Sequence, residues 1–147
     1  MDYIEAEKKI KDILEKNDKP LDSFVDFLYK NFEHYSWVGI YIVHDNELVL
    51  GPWRGKSATE HTRIPIGMGV CGSAAKSGKT EVVPDVGKDK RYLACFITTE
   101  SEIVVPIKYD GKIIGEIDID SDIKDAFNTN DKIFLEKIAD MLGSHIC

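Results

Sequence analysis

A chain of 147 residues with 43% apolar side chains is long enough to bury one core and too short for two domains of ordinary size. Its 26 acidic residues outweigh 19 basic ones for a net charge of −7, and the basic residues are scattered, which excludes nucleic acid as a partner because phosphate contacts need clustered Lys and Arg. Met1-Asp2-Tyr3-Ile4-Glu5 has neither the basic nor the apolar region of a signal peptide, and no apolar run approaches the ~20 residues that span a bilayer. The expectation is a cytoplasmic protein without a membrane partner. Three cysteines, Cys71, Cys95 and Cys147, have no CxxC or Cys/His spacing, so neither a zinc site nor a secreted disulfide framework is expected. In a reducing compartment they are left for packing or catalysis.

Ile4, Ile10, Ile13 and Leu14 fall near a helical period, and Leu21, Phe24, Val25, Phe27 and Leu28 follow Pro20, a residue suited to a first helical position. Two helices are predicted, each packing one apolar stripe. From Trp37 the pattern turns strand-like, with a hairpin of Trp37 to Val43, Asp45-Asn46 and Glu47 to Trp53 closed by Gly51-Pro52. A loop over 54–62 leads to Arg63-Ile64-Pro65-Ile66, a glycine-led helix from Gly67 to Gly78 and a brief strand at Glu81 to Val83. Residues 84–101 read mostly as loop. Strands Glu102 to Lys108 and Lys112 to Ser121 flank Asp110-Gly111, and a last helix from about Asn130 turns Ile133, Phe134, Ile138, Met141 and Leu142 inward. The class is α+β.

The register of the last hairpin decides which side chains share a face. A two-residue turn at Asp110-Gly111 with regular pairing opposes Ile103 to Asp118, mixing apolar and charged positions. A three-residue loop, Tyr109-Asp110-Gly111 with a bulge, opposes Ile103 to Ile117, Val105 to Gly115 and Ile107 to Ile113, giving one apolar face. This register places Glu102 opposite Asp118, with Asp120 on the same side. Like charges at facing positions destabilise a sheet and raise a pKa. A bound ammonium group accounts for them; a solvated sheet end accounts for them equally well.

For Cys95, in Arg91-Tyr92-Leu93-Ala94-Cys95-Phe96, the residues alone favour a small buried hydrophobe, against which stands its loop location. Cys71 begins a helix, where the dipole can lower a thiol pKa, and a buried face is the equal alternative. Cys147 is given no role. Gly67-Met68-Gly69-Val70-Cys71-Gly72 matches GxGxxG by letter but lacks a long βαβ unit, and fits better a helix N-terminus holding a carboxylate or sulfoxide oxygen. Trp37 and Tyr41 share a strand face, as core or as ligand wall. His34, His44, His61 and His145 form no ligand set.

Taken in order, Trp37-Val38-Gly39-Ile40-Tyr41, Leu50-Gly51-Pro52-Trp53-Arg54-Gly55-Lys56, Gly69-Val70-Cys71-Gly72, Ala94-Cys95, Ser101-Glu102-Ile103-Val104-Val105-Pro106 and Asp118-Ile119-Asp120-Ser121 resemble the GAF-type free methionine-(R)-sulfoxide reductases. The resemblance implies a single GAF domain over residues 1–147, with a central antiparallel β-sheet flanked by N-terminal and C-terminal helices. It implies reduction of free L-methionine-(R)-sulfoxide, a cysteine sulfenic acid and disulfide mechanism, thioredoxin as reductant, no metal or organic cofactor, and a homodimer. By position it makes Cys95 the catalytic cysteine, Cys71 a second redox cysteine, and Glu102, Asp118, Asp120, Trp37 and Tyr41 the substrate pocket. Thr59 stands where that family often has a resolving cysteine, which leaves Cys71, Cys147 or an external thiol for that step. A non-catalytic GAF sensor is the alternative of another class, and an interaction module with inert cysteines a third.

Overall fold

The structure, a computed structural model, describes residues 1–92, Phe96 and residues 98–146. Two helices open the chain, α1 (Tyr3–Lys16) and α2 (Pro20–Asn31). Asp2 caps α1 by accepting from the amides of Ile4 and Glu5 at 2.7 and 3.2 Å, and Pro20 starts α2. Six strands follow: β1 (Trp37–His44), β2 (Glu47–Gly55), β3 (Arg63–Pro65), β4 (Glu81–Val83), β5 (Ser101–Tyr109) and β6 (Lys112–Ser121). They form one antiparallel sheet in the order β3-β2-β1-β6-β5-β4. Helix α3 (Gly69–Ser77) lies between β3 and β4 in sequence, and α4 (Thr129–Ile146) ends the chain. The expected α+β class holds.

Strand alternation divides the sheet into two unlike faces. Val38 and Ile40 of β1, Ile103, Val105 and Ile107 of β5, and Ile117 and Ile119 of β6 face α1, α2 and α4, meeting Ile10, Phe24, Leu28, Phe134 and Ile138 in the main core. The opposite face carries α3 and a smaller core that includes Tyr41, Leu48, Ile64, Val70, Ala74 and Val104. Two residues expected to point inward do not: Ile4 is 69% and Ile133 49% exposed. On α1 the inward positions are Ala6, Ile10 and Leu14, and the Tyr3 ring stacks on Phe134 at 4.5 Å.

The last hairpin corrects the predicted register. Tyr109 pairs with Lys112 around a two-residue turn in which Asp110 and Gly111 have φ of 53° and 77°, the left-handed pair that suits strand twist. The extra residue sits inside β6: Lys108 pairs with Ile113 but Ile107 pairs with Gly115. That bulge at Ile114 restores the apolar face that regular pairing would have broken. Glu102 consequently lies opposite Asp120, and Asp118 opposite Val104. The shift amounts to two residues, so the acids stay together on one face.

Candidate functional site

The acids occupy the α3 face of β5 and β6, beside β1. Trp37 pairs with Asp120, Gly39 with Asp118 and Tyr41 with Glu116 across the β1–β6 ladder. Glu102, Asp118 and Asp120 are 3%, 1% and 1% exposed, and Glu116, absent from the sequence-predicted set, is 0% exposed. Helix α3 lays Cys71 over them, with its Sγ 4.0 Å from Glu102 Oε2. One donor atom each from Cys71, Glu102 and Asp118 lies within 4.8 Å of the others. The alternation Glu116-x-Asp118-x-Asp120 puts Glu116 on the same face and is the signal that could have found it.

Electrostatics here runs against ionisation. Asp118 Oδ1 and both oxygens of Glu116 and Asp120 have no hydrogen-bond partner among the described residues. Burial, then the Asp118 charge, pushes Glu116 and Asp120 well above the ordinary carboxylate range, and burial raises Asp118 against the pull of Glu102 and Cys71. Burial also raises the Cys71 thiol, with Asp118, Glu116, Glu102 and Asp120 adding to it. Of the two readings open for Cys71, the structure takes the buried one: desolvation and four acids outweigh the helix dipole, whose effect is at most about 2 kcal/mol. An ionised buried carboxylate costs several kcal/mol, more than the about 1.5–3 kcal/mol that one buried Ile or Phe contributes. The cluster therefore holds protons, or takes up a cation.

A cavity of about 430 Å³ opens beside the acids, lined by Trp37 of β1, Lys56, Ser57, Ala58 and Glu60 of the following loop, Phe96, Thr98 and Thr99, and Asp120 and Asp122. Trp37 is fixed by its neighbours. A Cβ on Gly39 or Gly55 would come within 2.3 Å of its ring, so both glycines make room for the indole. Trp53 stacks on it at 6.1 Å and Phe96 tilts against it at 5.8 Å. Its Nε1–H has no acceptor among the described residues. Tyr41 lies behind the cavity in the smaller core, where its hydroxyl donates to the His61 carbonyl at 2.6 Å and ties down the loop that lines the cavity. Thr59 is buried in that loop, and its Oγ1 accepts from the His61 amide at 3.1 Å.

The glycines before Cys71 serve the backbone. Gly67 and Gly69 have φ of 98° and 68°, and a Cβ on Gly72 would lie 2.7 Å from the Pro65 carbonyl. The lining of the cavity draws on none of these residues. Cys95 and Cys147 lie outside the described residues; Phe96, next to Cys95 in sequence, lines the cavity. Chemically, the site joins an aromatic wall and a buried proton reserve to a place for a cationic group.

Residues 20–146 match the GAF domain family. A free methionine-R-sulfoxide reductase of Saccharomyces cerevisiae is 46% identical over 112 residues, which are 74% of this chain and 61% of that protein. The structure superposes on fRMsr of Staphylococcus aureus in its reduced form with a TM-score of 0.91 at 40% identity, covering 99% of this chain and 96% of the other. It superposes equally, at 36% identity and over 98% and 87% of the two chains, on the free methionine-R-sulfoxide reductase of Neisseria meningitidis in complex with its substrate.

Proposed function

Because this chain belongs to the free methionine-R-sulfoxide reductase family of GAF domains, we propose that it reduces free L-methionine-(R)-sulfoxide with Cys95 as nucleophile and the acids of β5 and β6 as its substrate-binding and proton-donating set. The observation that carries the reading is the set of buried acids beside an aromatic-walled cavity, in which oxygens of Glu116, Asp118 and Asp120 have no hydrogen-bond partner among the described residues. The Cys95 thiolate attacks the sulfoxide sulfur, and the oxygen leaves that sulfur only once protonated. A carboxyl held neutral by burial supplies the proton near neutral pH, and Asp118, raised by burial, and Glu102 are the candidates for this role. Asp120, the member that reaches the cavity, receives the substrate ammonium. A peptide nitrogen is uncharged and leaves that carboxylate unanswered, which selects the free amino acid. Trp37 packs against the S-methyl group, and its unpartnered Nε1–H is a donor for a substrate oxygen.

The balance is simple. Cys95 gains the oxygen as a sulfenic acid and the sulfoxide leaves as the thioether; the Cys71 thiol then condenses with the sulfenic acid, releasing water and forming a disulfide that thioredoxin, oxidised in turn, reduces. Cys71 is held as a thiol, so a neighbouring carboxylate has to take its proton in that step. The reading places the chain in a reducing, cytoplasmic setting, as a homodimer through its N-terminal helices. The test is single-turnover reduction followed by thioredoxin-coupled recycling. Cys95→Ser abolishes both, whereas Cys71→Ser performs one stoichiometric reduction and does not recycle; equal single-turnover rates in the wild type and Cys95→Ser contradict the assignment.

A further inference from the structure

We propose that Cys71, Glu102 and Asp118 form a binding site for a thiophilic divalent cation such as Zn2+, which shuts the reductase by holding Cys71 as a metal thiolate. No sequence motif announces the site, because its ligands come from α3, β5 and β6, 31 and 16 residues apart. Tertiary packing brings one Sγ and two carboxylate oxygens within 4.8 Å of one another. The Sγ to Oε2 distance of 4.0 Å compares with about 3.6 Å between sulfur and oxygen ligands around a tetrahedral zinc. A side-chain movement of about 0.4 Å brings the Cys71–Glu102 pair to that spacing, and the Asp118 oxygen lies within 4.8 Å of both. A second observation also points to a cation: Asp118, 1% exposed, has an oxygen without a hydrogen-bond partner among the described residues, as have both oxygens of the equally buried Asp120 alongside.

The sulfur decides which cation. Carboxylates alone suit Mg2+ or Ca2+, whereas a thiolate among them selects a softer ion. Binding exchanges a proton for the metal, Cys71–SH and M2+ giving Cys71–S–M+ and H+, with no electron transferred. The site stands on this geometry; its effect on turnover rests on the reading that Cys71 resolves the intermediate and that the acids receive the substrate cation. Metal and substrate then exclude each other by charge, because Asp120, which receives the ammonium, pairs directly with the metal ligand Glu102.

Co2+ reports the site directly. In Cys95→Ser/Cys147→Ser, where Cys71 is the sole thiol, a Co2+ titration is expected to raise a thiolate-to-cobalt charge-transfer band in the near ultraviolet that Zn2+ and free methionine-(R)-sulfoxide both bleach. Asp118→Asn, which keeps the thiol, weakens cobalt binding at least tenfold, with circular dichroism confirming that each variant is folded. Absence of the band in the folded double variant, or the same affinity in Asp118→Asn, overturns the metal site; a band untouched by saturating sulfoxide, in a protein whose wild type turns sulfoxide over, overturns its effect on the reductase. Wild-type turnover with a chelator present tests the reductase reading separately: no turnover alongside an intact cobalt band removes that reading and leaves the metal site standing.

Discussion

Two groups of buried acids in this protein differ in how deeply they are enclosed and in the donors that reach them. Asp131, at the start of α4, is 1% exposed, as are Asp118 and Asp120. Its carboxylate accepts from the Tyr3 hydroxyl at 2.5 Å, the Tyr35 hydroxyl at 2.9 Å and the Asn128 amide at 3.0 Å, and His34 Nε2 lies 2.9 Å away. The Asp131 amide returns a bond to Asn128 Oδ1 at 3.1 Å, completing a capping box that joins α4 to α1 and to the turn before β1. Burial acts to raise the Asp131 pKa, but His34, Tyr3, Asn128 and Tyr35 reverse it and leave the group below its ordinary value. On the α3 face the enclosure is deeper, the pull of Cys71 and Glu102 does not offset it, and Glu116, Asp118 and Asp120 are pushed up. Opposite titration of acids alike in their exclusion from solvent marks Asp131 as a structural acid and is what a ligand-binding set would show.

The contrast breaks most severely at Asp131. Asp131→Ala leaves the buried Tyr35 hydroxyl and the half-buried Tyr3 hydroxyl without their acceptor and opens the cap, at a cost of about 3–5 kcal/mol, measured by urea unfolding. The same group gives an acid limb to stability: a depressed folded pKa adds stability above the unfolded value of about 3.9 and loses it as pH falls through the folded value. Asp131→Asn flattens that limb in melts taken below about pH 4.

Glu116→Gln sharpens the contrast from the other side. A carboxyl raised by folding has its full stability below the unfolded pKa of about 4.3 and loses it as pH rises toward the folded value. The variant's advantage over wild type therefore grows above about pH 4.3, by up to about 1.4 kcal/mol per pH unit, and is flat below it. Melts across the pH range check this, and a pH-independent difference contradicts it. The smallest change expected is at the strut: Tyr41→Phe loses the bond to the His61 carbonyl, costing about 1 kcal/mol. It raises KM several-fold with little change in kcat, because the loop it holds lines the cavity without supplying the reacting groups.

Much of this was legible in period and turn chemistry. The alternation of β5 and β6 placed Glu102, Asp118 and Asp120 together even though the pairing was off by two residues, because a shift of two preserves the face. The Ile114 bulge was not legible: Asp110-Gly111 announces a two-residue turn, and only the packing of both strands on α4 demands the extra residue. Glu116 escaped because a lone acid beside Gly115 reads as solvent-facing, while α3, which buries it, is placed by tertiary contacts. The Asp131 cap was hidden for the same reason. Its partners Tyr3, His34 and Tyr35 lie about a hundred residues away in the chain.

The central claim, that the buried acids of β5 and β6 serve the ammonium of a free amino acid, is tested most directly by calorimetric binding to Cys95→Ser, which does not turn over. Free methionine-(R)-sulfoxide is predicted to bind at least about 100-fold more tightly than its N-acetyl derivative, the loss expected for one buried charge-assisted pair. Its binding is predicted to release protons, since a cation favours the ionised carboxylates. Equal affinity for the two ligands, with no proton released, would contradict the account.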